Sequence, residues 1–178
     1  MTTLVLTVIG DDRAGLVNEL AEAVAAGGGN WERSSLAELA GKFAGIVVVT
    51  APAGRAAALE QRLRGLSHTL DVAFREGDDE SPDTQAHRLE DGGRELVVEL
   101  VGNDHPGIIR EISAVFGRHV VSIGAIDSDT REAPMAGGRL FEARITAAIP
   151  RDADPAALRA DLEELAGELQ VDLEVADA

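Results

Sequence analysis

Two short segments hold the residues best suited to chemistry: Gly10-Asp11-Asp12-Arg13-Ala14-Gly15-Leu16 and Gly102-Asn103-Asp104-His105-Pro106-Gly107-Ile108. Each follows a short aliphatic run and precedes apolar residues at helical spacing, so each is read as a strand-to-helix turn. The first turn of a helix presents unpaired N–H groups and the positive end of the peptide dipole, which suits it to a carboxylate or a phosphate. Gly15 and Gly107 put no side chain between those N–H groups and a ligand. Pro106 falls where a missing N–H costs nothing. Arg13 can grip a carboxylate through two guanidinium nitrogens, which a neutral His105 cannot. The same residues also support a purely structural reading, with Asp12 and Asp104 as helix caps and the glycines allowing close helix–strand packing. Alanine favours a helix over glycine by roughly 0.5–1 kcal/mol. Gly15→Ala or Gly107→Ala is therefore expected to hold or raise stability while removing any ligand seated on the turn.

Catalytic chemistry finds little else to use. The chain has no G-x-S-x-G, no P-loop and no H-E-x-x-H. His68, His87, His105 and His119 lie scattered, without metal-ligand spacing. Asp127-Ser128-Asp129 opens like a calcium loop, but Glu132 stands where the loop needs glycine and Gly138 where it needs glutamate. With no cysteine there is no thiolate nucleophile, thiolate zinc site or disulfide. The expectation is a protein without catalytic residues, metal or cofactor.

The two turns belong to an internal repeat. Shifted by 92 positions, Leu4–Leu20 falls on Leu96–Ile112, and six of the 17 pairs are identical, Gly10/Gly102, Asp12/Asp104, Gly15/Gly107 and Glu19/Glu111 among them. Gly41–Pro52 then matches Gly138–Pro150 once an insertion around Thr130–Gly137 is allowed. In each copy the apolar period alternates between strand and helix. Strands are predicted at Leu4–Ile9, Asn30–Leu39 and Phe43–Ala51, and again at Leu96–Val101, Val120–Asp127 and Leu140–Ile149. Gly15–Ala26 and the Ile108–Phe116 region have helical spacing. So do Leu59, Leu63 and Leu66, and likewise Leu158, Leu162, Leu165 and Leu169 after the cap pair Asp154-Pro155. Leu70, Val72, Phe74 and Val171, Leu173, Val175 alternate as closing strands.

The order is βαββαβ twice: an α+β chain of two ferredoxin-like repeats, each an antiparallel four-stranded sheet with its helices on one face. Leu4, Leu6, Val8 and Leu96, Val98, Leu100 should face the helices, leaving a mixed face of Thr3, Val5, Thr7, Ile9 and Glu95, Val97, Glu99, Val101. The predicted organisation is residues 1–76, an acidic linker at 77–93 without apolar periodicity, and residues 94–178.

Composition narrows the partners. The 178 residues carry 16 Lys+Arg against 32 Asp+Glu, a net charge of −16, with 45% hydrophobic and 27% charged residues. A packed core is expected. A surface this acidic neutralises no phosphates, which argues against nucleic acid and anionic membranes. RNA-binding modules of this topology stack bases on sheet aromatics, whereas this chain has one Trp, four Phe and no Tyr. No apolar run approaches a membrane span, and the N-terminus lacks a basic leader, so a cytoplasmic location is expected.

A strand, then G-x-D-x-P/A-G followed by an aliphatic residue, an amphipathic helix, and Asn or a similar residue opening the next strand resembles the ACT domain. Two copies joined by a linker resemble the stand-alone tandem-ACT regulators typified by the glycine-cleavage-system repressor. The resemblance covers nearly the whole chain apart from the linker. It implies binding of a small amino acid where ACT units pair side by side, action through a protein partner without direct contact to nucleic acid, and a possible homodimer. By position it nominates Asp12, Arg13, Gly15, Leu16, Asp104, His105, Gly107 and Ile108 in the turns, and Asn30 and Ser122 entering the second strands. Ala14 replaces the usual proline of the first turn, and Ser122 the usual asparagine of the second copy. The other expectation, a constitutive interaction or oligomerisation adaptor, treats the turns as vestigial.

Overall fold

A computed structural model describes residues 1–77, 89, 91–133 and 137–177. The chain divides into two compact units, Met1–Glu80 and Ser81–Ala178. Most of the acidic segment predicted as a linker lies outside the described residues.

In the first unit the elements run β1 (Thr2–Asp11), α1 (Leu16–Ala26), β2 (Asn30–Leu39), β3 (Lys42–Ala51), α2 (Ala56–Arg64) and β4 (Asp71–Glu76). The second repeats them as β5 (Arg94–Asn103), α3 (Ile108–Arg118), β6 (Ser122–Glu132), β7 (Arg139–Ile149), α4 (Pro155–Leu169) and β8 (Val171–Asp177). The sheet orders are β2-β3-β1-β4 and β6-β7-β5-β8, every described pairing antiparallel. Both units are thus the expected βαββαβ sheets. The aliphatic central strand lies in the middle of each because it is the strand whose inward side chains the core can enclose from both flanks.

Leu4, Leu6 and Val8 are buried beneath Leu16, Leu20, Val24, Leu59 and Leu63. Leu96, Val98 and Leu100 are buried with Ile108, Ile112, Phe116, Leu158 and Leu162. The opposite face of the first sheet leaves Ile9 and Ile46 about half exposed, at 50% and 49%, so the mixed face is open within each unit.

Two strand boundaries differ from expectation. Val120, read as the start of a strand, has φ 55° and closes the turn after α3, so β6 begins at Ser122. At its other end β6 runs on to Glu132 by pairing with Arg139, which absorbs part of the supposed insertion into the hairpin. Residues 134–136 of that insertion lie outside the described residues.

Candidate functional site

Each turn is built by two glycines with different tasks. Gly10 and Gly102 serve close packing. A Cβ on Gly10 would lie 2.4 Å from the Thr69 carbonyl oxygen, and one on Gly102 would lie 2.3 Å from Val171 Cγ1. Gly15 and Gly107 serve conformation: they cap α1 and α3 at φ 94° and 109°, in the left-handed region. Their carbonyls accept the first helical bonds, from Glu19 N at 2.9 Å and Glu111 N at 3.0 Å. This overturns the expectation that alanine would be neutral or stabilising there. Neither glycine lies inside the helix, and an L side chain at positive φ is strained whatever its helix propensity.

No side chain caps either helix. Asp12 and Asp104 therefore do not act as caps. Their backbone N–H groups instead tie the turns to the neighbouring hairpins, Asp12 to Gly41 O at 3.0 Å and Asp104 to Arg139 O at 2.8 Å. Asp104 also faces Arg139, Nε to Oδ2 at 3.8 Å. Leu16 and Ile108 are core residues, 2% and 3% exposed, so only their backbone N–H groups can meet a ligand.

The two turns differ electrostatically. Arg13 donates to both carboxylate oxygens of Glu19, at 2.8 and 2.7 Å, which folds its guanidinium back over the first turn of α1. Around Gly15 a Cβ would meet nothing within 4 Å. In the second copy Glu111 accepts from Arg110 at 2.8 Å, and its Oε1 would lie 3.4 Å from a Cβ on Gly107. His105 makes only a local contact, Nδ1 to Pro106 O at 3.4 Å. The first turn is open and the second is overhung by its own glutamate. Glu19 and Glu111 were visible as an identical pair in the repeat, and that was the signal to include them.

Asn30 and Ser122 lie elsewhere. Asn30 is in register with Thr50, which pairs with Thr3, whereas the turn follows Asp11, paired with Lys42. Eight residues of extended strand separate Thr3 from Asp11, roughly 26 Å at ~3.3 Å per residue. Ser122 is likewise in register with Ala148 and Glu95, at the far end of its sheet. Each unit therefore assembles its own turn and holds its second-strand residue at the opposite end. Asn30 is also engaged: it donates to Glu32 Oε1 at 2.7 Å, which accepts from Thr50 Oγ1 at the same distance. Those bonds, Thr50 foremost and then Asn30, hold the Glu32 carboxyl below its ordinary pKa. Glu32 lies at a bulge of β2, and Gly124 lies at the matching bulge of β6, so the second copy has no counterpart of this cluster.

Among the described residues no group of His, Cys, Asp and Glu is arranged to hold a metal ion. No described helix is long and apolar enough to cross a membrane.

Comparison with known proteins fits this architecture. Residues 2–76 match the ACT domain family model. The chain is 27% identical over 168 residues to the glycine cleavage system transcriptional repressor of Escherichia coli, covering 93% of this chain and 85% of that protein. An unknown protein from Galdieria sulphuraria superposes with a TM-score of 0.83 at 27% identity, covering 99% and 98% of the two chains. A structure provisionally described as a glycine cleavage system transcriptional repressor superposes with a TM-score of 0.72 at 17% identity, covering 99% and 97%, which speaks to the fold alone.

Proposed function

We propose that this chain is a non-enzymatic regulator that binds a small amino acid and acts through a protein partner, because residues 2–76 match the ACT domain model and the second unit repeats their fold. A regulatory role is supported by the domain family and by the full-length similarity to a transcriptional repressor. Control of amino-acid metabolism at the level of transcription is the process that similarity favours. A net charge of −16 disfavours a nucleic-acid surface, so an effect on transcription passes through a partner.

The observation that carries the ligand reading is Gly15. It is left-handed, it opens a helix whose first turn no side chain caps, and it faces open space. A ligand carboxylate can approach the N–H groups of α1 there past a residue with no side chain, once the Arg13–Glu19 pair opens. Arg13 supplies a guanidinium at the rim once it exchanges Glu19 for the ligand. The second turn, overhung by Glu111, is the weaker site. Asn30, at the far end of its own sheet, is not part of this turn.

The test is calorimetric titration of the full chain with glycine and a panel of other amino acids. Saturable binding that Gly15→Ala removes and Gly107→Ala weakens less is the expected result. If no amino acid binds, the turns are helix-opening devices only and the adaptor reading takes over.

A further inference from the structure

The two copies diverge most sharply where the first helix of each unit ends against the second. In the second unit this junction is closed internally. Asp161 Oδ2 accepts from His119 Nε2 at 2.9 Å and from Arg118 Nη2 at 3.5 Å. Asp154 caps α4, accepting from Ala156 N at 2.9 Å and Ala157 N at 3.3 Å.

The first unit inverts this chemistry. α1 ends at Ala26 with Gly27 following, where α3 ends at Arg118 with His119 following. Arg55 and Asp154 are the equivalent capping residues just before α2 and α4, their carbonyls accepting from Leu59 N and Leu158 N. Seven residues on, Arg62 stands for Asp161. Two acids have become two arginines, and the two side chains that held one of them are gone. Beside these positions lies a cavity of about 470 Å³ lined by Ala26, Gly27, Arg55, Ala58, Gln61 and Arg62.

Arg55 runs against local physics. The capping position before a helix favours Ser, Thr, Asp or Asn, and the dipole disfavours a cation there. The dipole accounts for Arg62 in the last turn of α2 but not for Arg55 at its start. Neither guanidinium has a hydrogen-bond or ion-pair partner among the described residues, in a chain of net charge −16. Arg55 is exposed, and a Cβ on Gly28 would lie 2.9 Å from its Nη1 and 3.2 Å from its Cδ, so its side chain lies across the glycine turn beside the cavity. A residue that breaks a local rule without an internal compensation marks a place where function sets the choice.

We propose that this cavity is a binding site for a small oxyanion, a carboxylate or phosphate group, gripped by Arg55 and Arg62 in the position that the Asp161 carboxylate fills in the second unit. Paired guanidinium forks suit planar or tetrahedral oxyanions. The site is separate from the Gly15 turn, at the other end of α1.

The full chain, labelled with nitrogen-15, is titrated with inorganic phosphate and separately with succinate, at ionic strength held constant with sodium chloride. Saturable amide shifts centred on Gly27, Gly28 and residues 55–62 are expected, and the arm with the tighter Kd identifies the preferred oxyanion. Arg55→Gln and Arg62→Gln should each weaken that Kd about tenfold. The double change Ala26→Arg, Arg62→Asp, which installs the second unit's Arg118–Asp161 pair and leaves the close-packed Gly27 in place, should abolish binding with the fold kept. Shifts that do not saturate, that sodium chloride alone reproduces, or that centre on residues 12–16 overturn the proposal. The wild-type map decides this even if a variant fails to fold. A glycine titration of the same sample reads the Gly15 turn independently.

Discussion

Replacing Gly15 with alanine separates conformation from packing in a way that can be measured. At φ 94° and ψ −5° an L residue pays roughly 1–2 kcal/mol relative to the right-handed region. Alanine also stiffens the unfolded chain, which returns roughly 0.4–1 kcal/mol. Steric cost adds nothing, because no atom lies within 4 Å of the new methyl. The net expectation is a loss of about 1 kcal/mol, or about 4–8 °C in Tm for a unit of this size. Gly10→Ala is the contrasting variant. Its methyl would lie 2.4 Å from a backbone carbonyl, so strand or connection must move, and the loss should reach the upper part of the ~1–3 kcal/mol range for overpacking.

Urea unfolding followed by tryptophan fluorescence suits both variants, since Trp31 is the chain's one tryptophan and lies in β2 of the first unit. Gly10→Ala should lower the midpoint more than Gly15→Ala, and only Gly15→Ala should lose, while folded, the amino-acid binding proposed for the first turn. A Gly15→Ala protein as stable as wild type, or more so, would refute the argument from backbone conformation.

Three further outcomes follow from the same kind of reasoning. Val120 holds a β-branched side chain at φ 55° where the first copy has Gly28 at 78°, and it is 73% exposed, so Val120→Gly should raise stability by about 1 kcal/mol in urea melts. The Asp161 carboxyl is held below its ordinary pKa, by the His119 hydrogen bond foremost and then by Arg118. A lowered folded pKa stabilises above the unfolded value and is lost as pH falls through the folded one. Acid unfolding below about pH 4 should therefore be less steep in Asp161→Asn, followed by circular dichroism. Thr50→Val should raise the Glu32 pKa toward the ordinary value more than Asn30→Ala does, read by carboxyl NMR titration, because Thr50 is the larger cause of its depression.

The architecture was legible because duplication wrote it twice. Leu4, Leu6 and Val8 alternate inward, Leu96, Val98 and Leu100 repeat the pattern, and the turn glycines recur between strand and helix in both copies. Roles within the turns were not legible. Gly10 and Gly15 are equally invariant between copies, yet one is fixed by a carbonyl 2.4 Å away and the other by a positive φ, and neither cause has a local sequence signature. Periodicity likewise could not show that Val120 adopts a glycine-like conformation, since valine is the residue that most suggests a strand.

Side-chain divergence between the copies was the hardest to read, because it depends on three-dimensional register. Ala26 and Gly27 align with Arg118 and His119 at a shift of 92, whereas Arg55 and Arg62 align with Asp154 and Asp161 at 99, after the longer second hairpin. Only when the helix starts are superposed do the four changes fall at one junction and become a single inversion of charge. The repeat shares its turn glycines and differs in charge at its helix ends, where Ala26, Arg55 and Arg62 are exposed. Comparing one copy with the other at structurally equivalent positions therefore exposes candidate ligand chemistry that neither copy displays alone.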